Sequence, residues 1–135
     1  MSLWQPRSRI GATLVNDTGA LCWSELATTD VELAKSFFGE LLGWGYETDE
    51  SGYGSVKNAG RLNGGMREQT EQERRAPPAW LPCFTVESAD ESERQAEQLG
   101  GRGLRPTADW RRGRYAVIAD RQGAAFAVFE GETDP

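Results

Sequence analysis

The sequence contains no histidine. That removes the commonest general base and the commonest metal ligand together, and excludes serine–histidine catalysis. Its 135 residues hold only two cysteines, Cys22 and Cys83, far apart and without CxxC spacing. Zinc-ribbon and thioredoxin-like readings therefore lack support, and each cysteine lies in an apolar, strand-like run that suits a buried, reduced thiol. No stretch approaches the roughly 18 apolar residues of a membrane-spanning helix. The first residues also lack the apolar run of a signal peptide, and with the reduced cysteines this predicts a cytoplasmic location. Acids outnumber bases, 21 Asp and Glu against 15 Lys and Arg, for a formal charge of −6. A basic footprint is missing, so neither nucleic acid nor a membrane is expected as a partner. GxGxxG, P-loop and GxSxG patterns are absent as well.

What is present is a globular composition, with five Trp, three Tyr and five Phe to fill a core. Asn16 to Gly19 signals a turn, and Ala20 to Ala27 reads as a strand with Trp23, Glu25 and Ala27 on one face. Thr29 and Glu32 have capping-box spacing at a helix start. Ala34, Phe37, Phe38, Leu41 and Leu42 form its apolar stripe, expected to pack on a sheet, and Gly43 suits the left-handed C-cap. Strands are predicted at 44–48, 54–58 and 62–67. A charged segment, Glu68 to Arg75, then runs into Pro77 and Pro78 and reads as a connector.

The order then repeats: a strand over 80–86, a helix capped by Ser88 with Glu91, Gly100-Gly101 at its end, and strands at 104–109, 114–119 and 124–130. An offset of 58 residues lays Leu26 on Phe84, Leu41 on Leu99 and Gly43 on Gly101. Each half reads strand, helix, strand, strand, strand, and neither can bury both its helix and its sheet alone. The expected fold is α+β, two βαβββ modules joined in one curved mixed sheet, with a central cleft and helices outside. The organisation is a lead-in over 1–18, a first module over 19–67, a connector over 68–79, a second module over 80–131 and a tail over 132–135.

Three segments carry a family resemblance. Leu21 to Asp30, LCWSELATTD, resembles a W-x-E-L-x-T-x-D opening, and Ala34 to Trp44, AKSFFGELLGW, resembles an A-x-x-F-Y-x-x-L-F-G-W helix. Gly113 to Val117, followed by Asp120 to Gly123, resembles a G-R-F-A-V-x-x-D-P-x-G close. On these the chain is similar to the vicinal-oxygen-chelate superfamily, which holds glyoxalase I, bleomycin-resistance proteins and extradiol dioxygenases. The nearest likeness is to its hydroxylase-like members. The likeness spans about residues 18 to 131.

Metal-using members place a ligand near the start of the first strand of each module and a Glu in the closing strands. The matching positions here are Trp23, near Leu81 and near Ala127, none of which coordinates, so the resemblance implies a metal-free site without a cofactor. It also implies a homodimer. Three functions follow: a module binding a small organic molecule in an aromatic cleft; a lyase or dioxygenase-type enzyme with unrecognised metal ligands or Glu25 as general base; an interaction or regulatory domain.

Glu25 is the best catalytic candidate. It sits mid-strand between apolar neighbours, where a carboxylate is disfavoured unless paired. It is read either as a cavity carboxylate that binds a cationic or hydroxyl group or acts as a general base, or as a structural carboxylate paired with an arginine or bonded to backbone amides across the sheet. Trp23 shares its face, and Cys83 is its counterpart under the 58-residue offset. Trp44, Trp80 and Trp110 line the cleft or fill the core. Arg111, Arg112 and Arg114 cluster beside a turn, either to receive an anionic group or as a solvated loop. Gly64-Gly65 marks a strand bulge or a close approach to a ligand. The ligand-binding expectation is Trp23, Glu25, Cys83, Trp110 and Arg114, with no metal ligand.

Overall fold

The computed structural model describes residues 2–8 and 11–133, so Met1, Arg9 and Ile10 of the lead-in and Asp134 and Pro135 of the tail lie outside it. The chain runs β1 (Leu21–Thr28), α1 (Val31–Leu42), β2 (Gly45–Thr48), β3 (Gly54–Asn58), β4 (Arg61–Glu68), a 3-10 turn (Glu73–Arg75), β5 (Ala79–Thr85), α2 (Ala89–Gln98), β6 (Arg102–Trp110), β7 (Gly113–Ala119) and β8 (Ala125–Gly131). All eight strands form one mixed, open sheet in the order β2-β3-β4-β1-β5-β8-β7-β6. That order is symmetric about the β1–β5 seam. β1 pairs with β4 in parallel, β5 pairs with β8 in parallel, and β1 and β5 meet antiparallel. The expected α+β architecture of two βαβββ modules is the observed one. No helix among the described residues is long and apolar enough to cross a membrane.

Strand alternation sorts the core. In β1, Leu26 joins Phe38 of α1, Val56 and Met66 under the first helix, while Ala27 turns to the inner face. In β7, Ala116 and Ile118 pack beneath α2, and Tyr115 and Val117 face inward with Leu81, Cys83, Ala127 and Phe129. The tryptophans divide the same way. Trp44 and Trp80 stack about Phe38 on the helix side, with ring centroids at 5.6 and 5.4 Å, and Trp110 packs on the inner face.

Two expectations about α1 need correction. Its N-cap is Asp30, whose carboxylate accepts from the Leu33 N–H at 2.9 Å, not Thr29. Glu32 pairs with Lys35 instead of closing a capping box. The apolar stripe also splits. Val31, Ala34, Phe38 and Leu42, spaced by three and four, face the sheet. Phe37 and Leu41, one position round the helix, stand in solvent with Leu33, and Phe37 is 59% exposed. Lumping neighbouring positions into one stripe overstated the width of the buried face. Gly43 does adopt the left-handed cap, at φ 69°.

The expected cost of Phe38→Ala is about 3–5 kcal/mol by urea denaturation, because the ring leaves a cavity among two tryptophans. Phe37→Ala is expected to change stability by less than about 1 kcal/mol, as its ring lies in solvent.

Candidate functional site

The inner face of the sheet encloses a cleft of about 830 Å³ between the two modules. One wall is the start of α1 and the end of β4; the other is β6 and β7, bringing Arg105, Trp110 and Tyr115. Glu25 of β1 and Arg67 of β4 lie at its floor. Their neighbouring strands run parallel with Glu25 beside Gly65 and Ala27 beside Arg67, which sets the two side chains on the same face.

Glu25 is 1% exposed and accepts from Arg67 Nε at 2.7 Å and from the Tyr115 hydroxyl at 2.5 Å, both on Oε1. Arg67 also forks onto Glu73, with Nη1 to Oε2 and Nη2 to Oε1, each 2.7 Å. Nη1 further donates to the Glu68 carbonyl at 3.1 Å and Nη2 to the Tyr115 hydroxyl at 3.4 Å. All five N–H donors of the guanidinium are therefore engaged. Burial alone would lower the basicity of Arg67, but the Glu73 fork and the charge of Glu25 outweigh it and hold the group above its ordinary value. For Glu73 burial acts upward, and the Arg67 fork with the Thr70 N–H at 2.7 Å overcomes it, leaving the carboxyl below its usual range.

Two phenols complete the floor. Burial first, and then the charge of Glu25, raise the Tyr115 and Tyr53 hydroxyls above the ordinary tyrosine value, so both are neutral donors at physiological pH. The Tyr53 oxygen accepts from Trp23 Nε1 at 2.9 Å. Its ring lies against Gly65, where an added Cβ would fall 1.8 Å from the hydroxyl oxygen. The bare Gly65 backbone thus makes room for Tyr53, while the β3–β4 register shift falls just before Gly64.

The module symmetry relates these groups. Glu25 beside Gly65 corresponds to Cys83 beside Ala127, and the paired β3–β4 and β7–β8 registers set Tyr53 with Tyr115 and Arg67 with Phe129. The two tyrosines flank one carboxylate from opposite modules. Of these paired positions only Glu25 and Arg67 are charged, and their mates in the second module are a thiol and a phenyl ring.

Of the sequence candidates, Glu25 and Trp110 line the cleft. Trp23 lies behind it, half-buried in the inner core, with its indole N–H spent on Tyr53. Cys83 is sealed in that core, since its place beside Leu81, Val117 and Ala127 is closed by packing. Arg114 points away from the cleft, because alternation opposite the inward Tyr115 turns it toward α2. There it pairs with Asp90, and with Asp109 at 3.6 Å. Arg67, Glu73, Tyr53, Tyr115 and Arg105 were not singled out. An arginine ending a predicted strand near a mid-strand glutamate on the same sheet was the available signal for the ion pair. Glu73 came from the segment read as a plain connector.

A divalent metal does not fit this donor set. Both inner carboxylates are committed to the guanidinium, a cation that cannot share their lone pairs with a metal, and no cluster of three His, Cys, Asp or Glu occurs among the described residues.

Cys22 is set by a bulge. Leu21 pairs with Phe84 and Trp23 with Cys83, so Cys22 is the extra residue, brought against Cys83. Hydrogen bonding from Cys83 is the main cause that brings the Cys22 thiol down to about 7, while the same contact and burial push Cys83 up.

A family model described as a glyoxalase-like domain matches residues 22–129. The chain belongs to this glyoxalase-like domain family. Proteins named "Putative glyoxylase CFP32" from Mycobacterium bovis and Mycobacterium tuberculosis are 37% identical over 135 residues, covering 96% of this chain and 51% of theirs. The anthracycline biosynthesis protein DauV of Streptomyces sp. strain C5 is 30% identical over 135 residues, covering 96% of this chain and 48% of its own. This glyoxalase-like chain thus spans about half the length of the curated relatives it matches. Among solved structures, a variant of homoprotocatechuate 2,3-dioxygenase from B. fuscum superposes with TM-score 0.56 at 17% identity, over 90% of this chain and 35% of that one. A hypothetical protein from Bacillus halodurans gives TM-score 0.56 at 12% identity, over 88% and 99%. These likenesses concern the fold, and they agree with the vicinal-oxygen-chelate superfamily.

The ion network has a testable asymmetry. Arg67→Met leaves two buried carboxylates uncompensated, and the expected loss is about 3–5 kcal/mol in denaturant unfolding. Glu25→Gln keeps an acceptor for Tyr115 and leaves Arg67 neutralised by Glu73, so a loss of only about 1–3 kcal/mol is expected. Separately, iodoacetamide should modify Cys22 of the folded protein with a rate that titrates at about pH 7, because the thiolate is the nucleophile. Peptide mapping should find Cys83 unmodified.

Proposed function

We propose that this glyoxalase-like chain binds a small, planar organic molecule in its cleft without a metal ion. The observation that carries the reading is the cleft itself: about 830 Å³, with Trp110 5.6 Å from the rings of both Tyr53 and Tyr115 across the module boundary. Rings in offset or edge contact leave faces for stacking, and a cavity of this size suits a drug-sized ligand. The neutral phenols around the locked ion pair make a floor of fixed polar groups. The naming of DauV for anthracycline biosynthesis supports a fused-ring aromatic ketone as the ligand class. The two cysteines are free thiols, which accords with the reducing cytoplasm as its location.

A second reading, a lyase with Glu25 as general base, draws on the relatives named as glyoxylases. Against it, Glu25 is 1% exposed and its Oε1 accepts from both Arg67 and Tyr115, which holds the carboxylate against the floor of the cleft.

Titration with 1,8-dihydroxyanthraquinone, followed by tryptophan fluorescence, tests the binding reading. Saturable quenching is expected, unchanged by EDTA and weakened about tenfold or more by Trp110→Ala, the loss of one stacked aromatic contact. Quenching abolished by EDTA, or indifferent to Trp110→Ala, overturns it.

A further inference from the structure

We infer that the ligand of this cleft carries an anionic group, held at the β6–β7 edge by Arg105 and Arg111. The inference rests on the cleft-binding reading and adds the charge of the ligand and its orientation.

Two guanidiniums lie over the rings of the cleft. Arg105, which lines it, sits 5.4 Å above the centre of the Tyr115 ring. Arg111 sits 5.2 Å from the Tyr53 ring and 5.1 Å from the Trp110 ring, and its Nη2 donates to Ser55 Oγ at 3.2 Å. Neither has a carboxylate within salt-bridge distance among the described residues. Stacking fixes the plane of a guanidinium and leaves the N–H groups on its edge for a planar anion.

The acids of the cleft are already engaged. Glu25 and Glu73 serve Arg67, Glu32 serves Lys35, Glu68 lies 3.7 Å from Arg74, and Asp30 caps α1. Asp49 lies within the field of Arg111, but its Oδ1 is taken by the Ser51 hydroxyl and by the backbone N–H groups of Ser51 and Tyr53. The acids that line the cleft stand on its floor and on its α1 side, so the charges at the β6–β7 edge are the two guanidiniums.

The backbone supplies a second observation. Arg111 has φ 51°, in the left-handed region, at the hairpin between Trp110 and Gly113. Glycine or asparagine takes that conformation without strain, and a non-glycine residue there costs roughly 1–2 kcal/mol. The two-residue hairpin itself calls for positive φ here, as at Ala59 (φ 49°) in the matching β3–β4 hairpin, and it sets the point from which the Arg111 side chain folds over the Tyr53 and Trp110 rings.

The test uses a matched pair of ligands, anthraquinone-2-carboxylate and anthraquinone-2-carboxamide, titrated by tryptophan fluorescence at low and high salt. The ring system is common, and only the charge differs. The carboxylate is expected to bind about tenfold tighter than the carboxamide, with the advantage shrinking as salt rises. Arg105→Gln and Arg111→Gln should each remove roughly fivefold or more of the carboxylate affinity, as loss of a charge-assisted bond does, and leave the carboxamide unchanged. Arg112→Gln, a neighbouring exposed charge outside the clamp, should affect neither. Equal binding of both ligands, or an Arg112→Gln effect as large as that of Arg105→Gln, overturns the clamp while cleft binding stands. Failure of both ligands to bind overturns the clamp and the cleft reading together.

Discussion

Two carboxylates and one guanidinium, buried together beneath the cleft, set the terms for everything around them. Glu25 comes from the central strand, Arg67 from its neighbour, and Glu73 from the connector that leads into the second module. Such a cluster is weak evidence for stability, since well-packed apolar side chains in its place often serve as well. Its consequence is geometric. Each carboxylate is useless to the fold unless Arg67 is in place, so strand register, connector path and guanidinium plane are tied together. Gln69 supports the same connector, donating to the Glu73 and Ala76 carbonyls at 3.3 and 3.2 Å. The cluster also has one negative charge more than it has positive. The phenols of Tyr115 and Tyr53 stand where that surplus falls on Glu25, which binds β7 of the second module to the floor of the first.

The duplicated architecture is used asymmetrically. Equivalent positions carry Glu25 and Cys83, Arg67 and Phe129, Tyr53 and Tyr115. The cleft is therefore ionic at its floor beneath the first module, while the matching positions of the second module are packed core from Leu81 through Phe129. A ligand in the cleft meets a saturated ionic floor from the first module and, from the second, the Trp110 and Tyr115 rings with Arg105 at the edge. A symmetric pair of modules would offer no such preference for one orientation.

The fold was readable in the sequence because it rests on local signals repeated twice. Turn residues, an apolar period of two, Gly43 at a left-handed cap and Ser88 at an N-cap each act within a few residues. The parity of β1 was readable for the same reason, and it put Glu25 on the inner face. What Glu25 meets there was not. Arg67 lies 42 residues away and Tyr115 90 residues away, and neither distance leaves a trace in local pattern. Glu73 was hidden by its setting: Glu68 to Arg75 has the composition of a solvated loop, and only Arg67 makes one of its acids a core residue. The α1 stripe failed for a different reason. Hydrophobicity alone cannot say which of two adjacent helix rows the sheet covers, and Phe37 was grouped with Phe38 although 100° separates them.

The division between a saturated floor and an unsaturated rim constrains what the cleft can do. The metal-using members that the sequence resembles place a metal ligand near the start of the first strand of each module. Here the central cation is a guanidinium whose five N–H donors are all committed to protein oxygens. It offers a ligand neither an open coordination site nor a spare donor, and it cannot leave. Glu25 is bound from two sides on one oxygen. Recognition must then fall to groups with capacity left over: the faces of Trp110 and Tyr53, and the edges of Arg105 and Arg111. These groups sit on β6, the loop before β3 and the turn before β7, at the margin of the sheet and away from the seam. The locked core holds them at fixed spacing, which lowers the cost of ordering them when a ligand arrives. A cleft built this way gains affinity from preorganised stacking and charge at its edge, and its chemistry depends on what is bound there more than on the floor beneath.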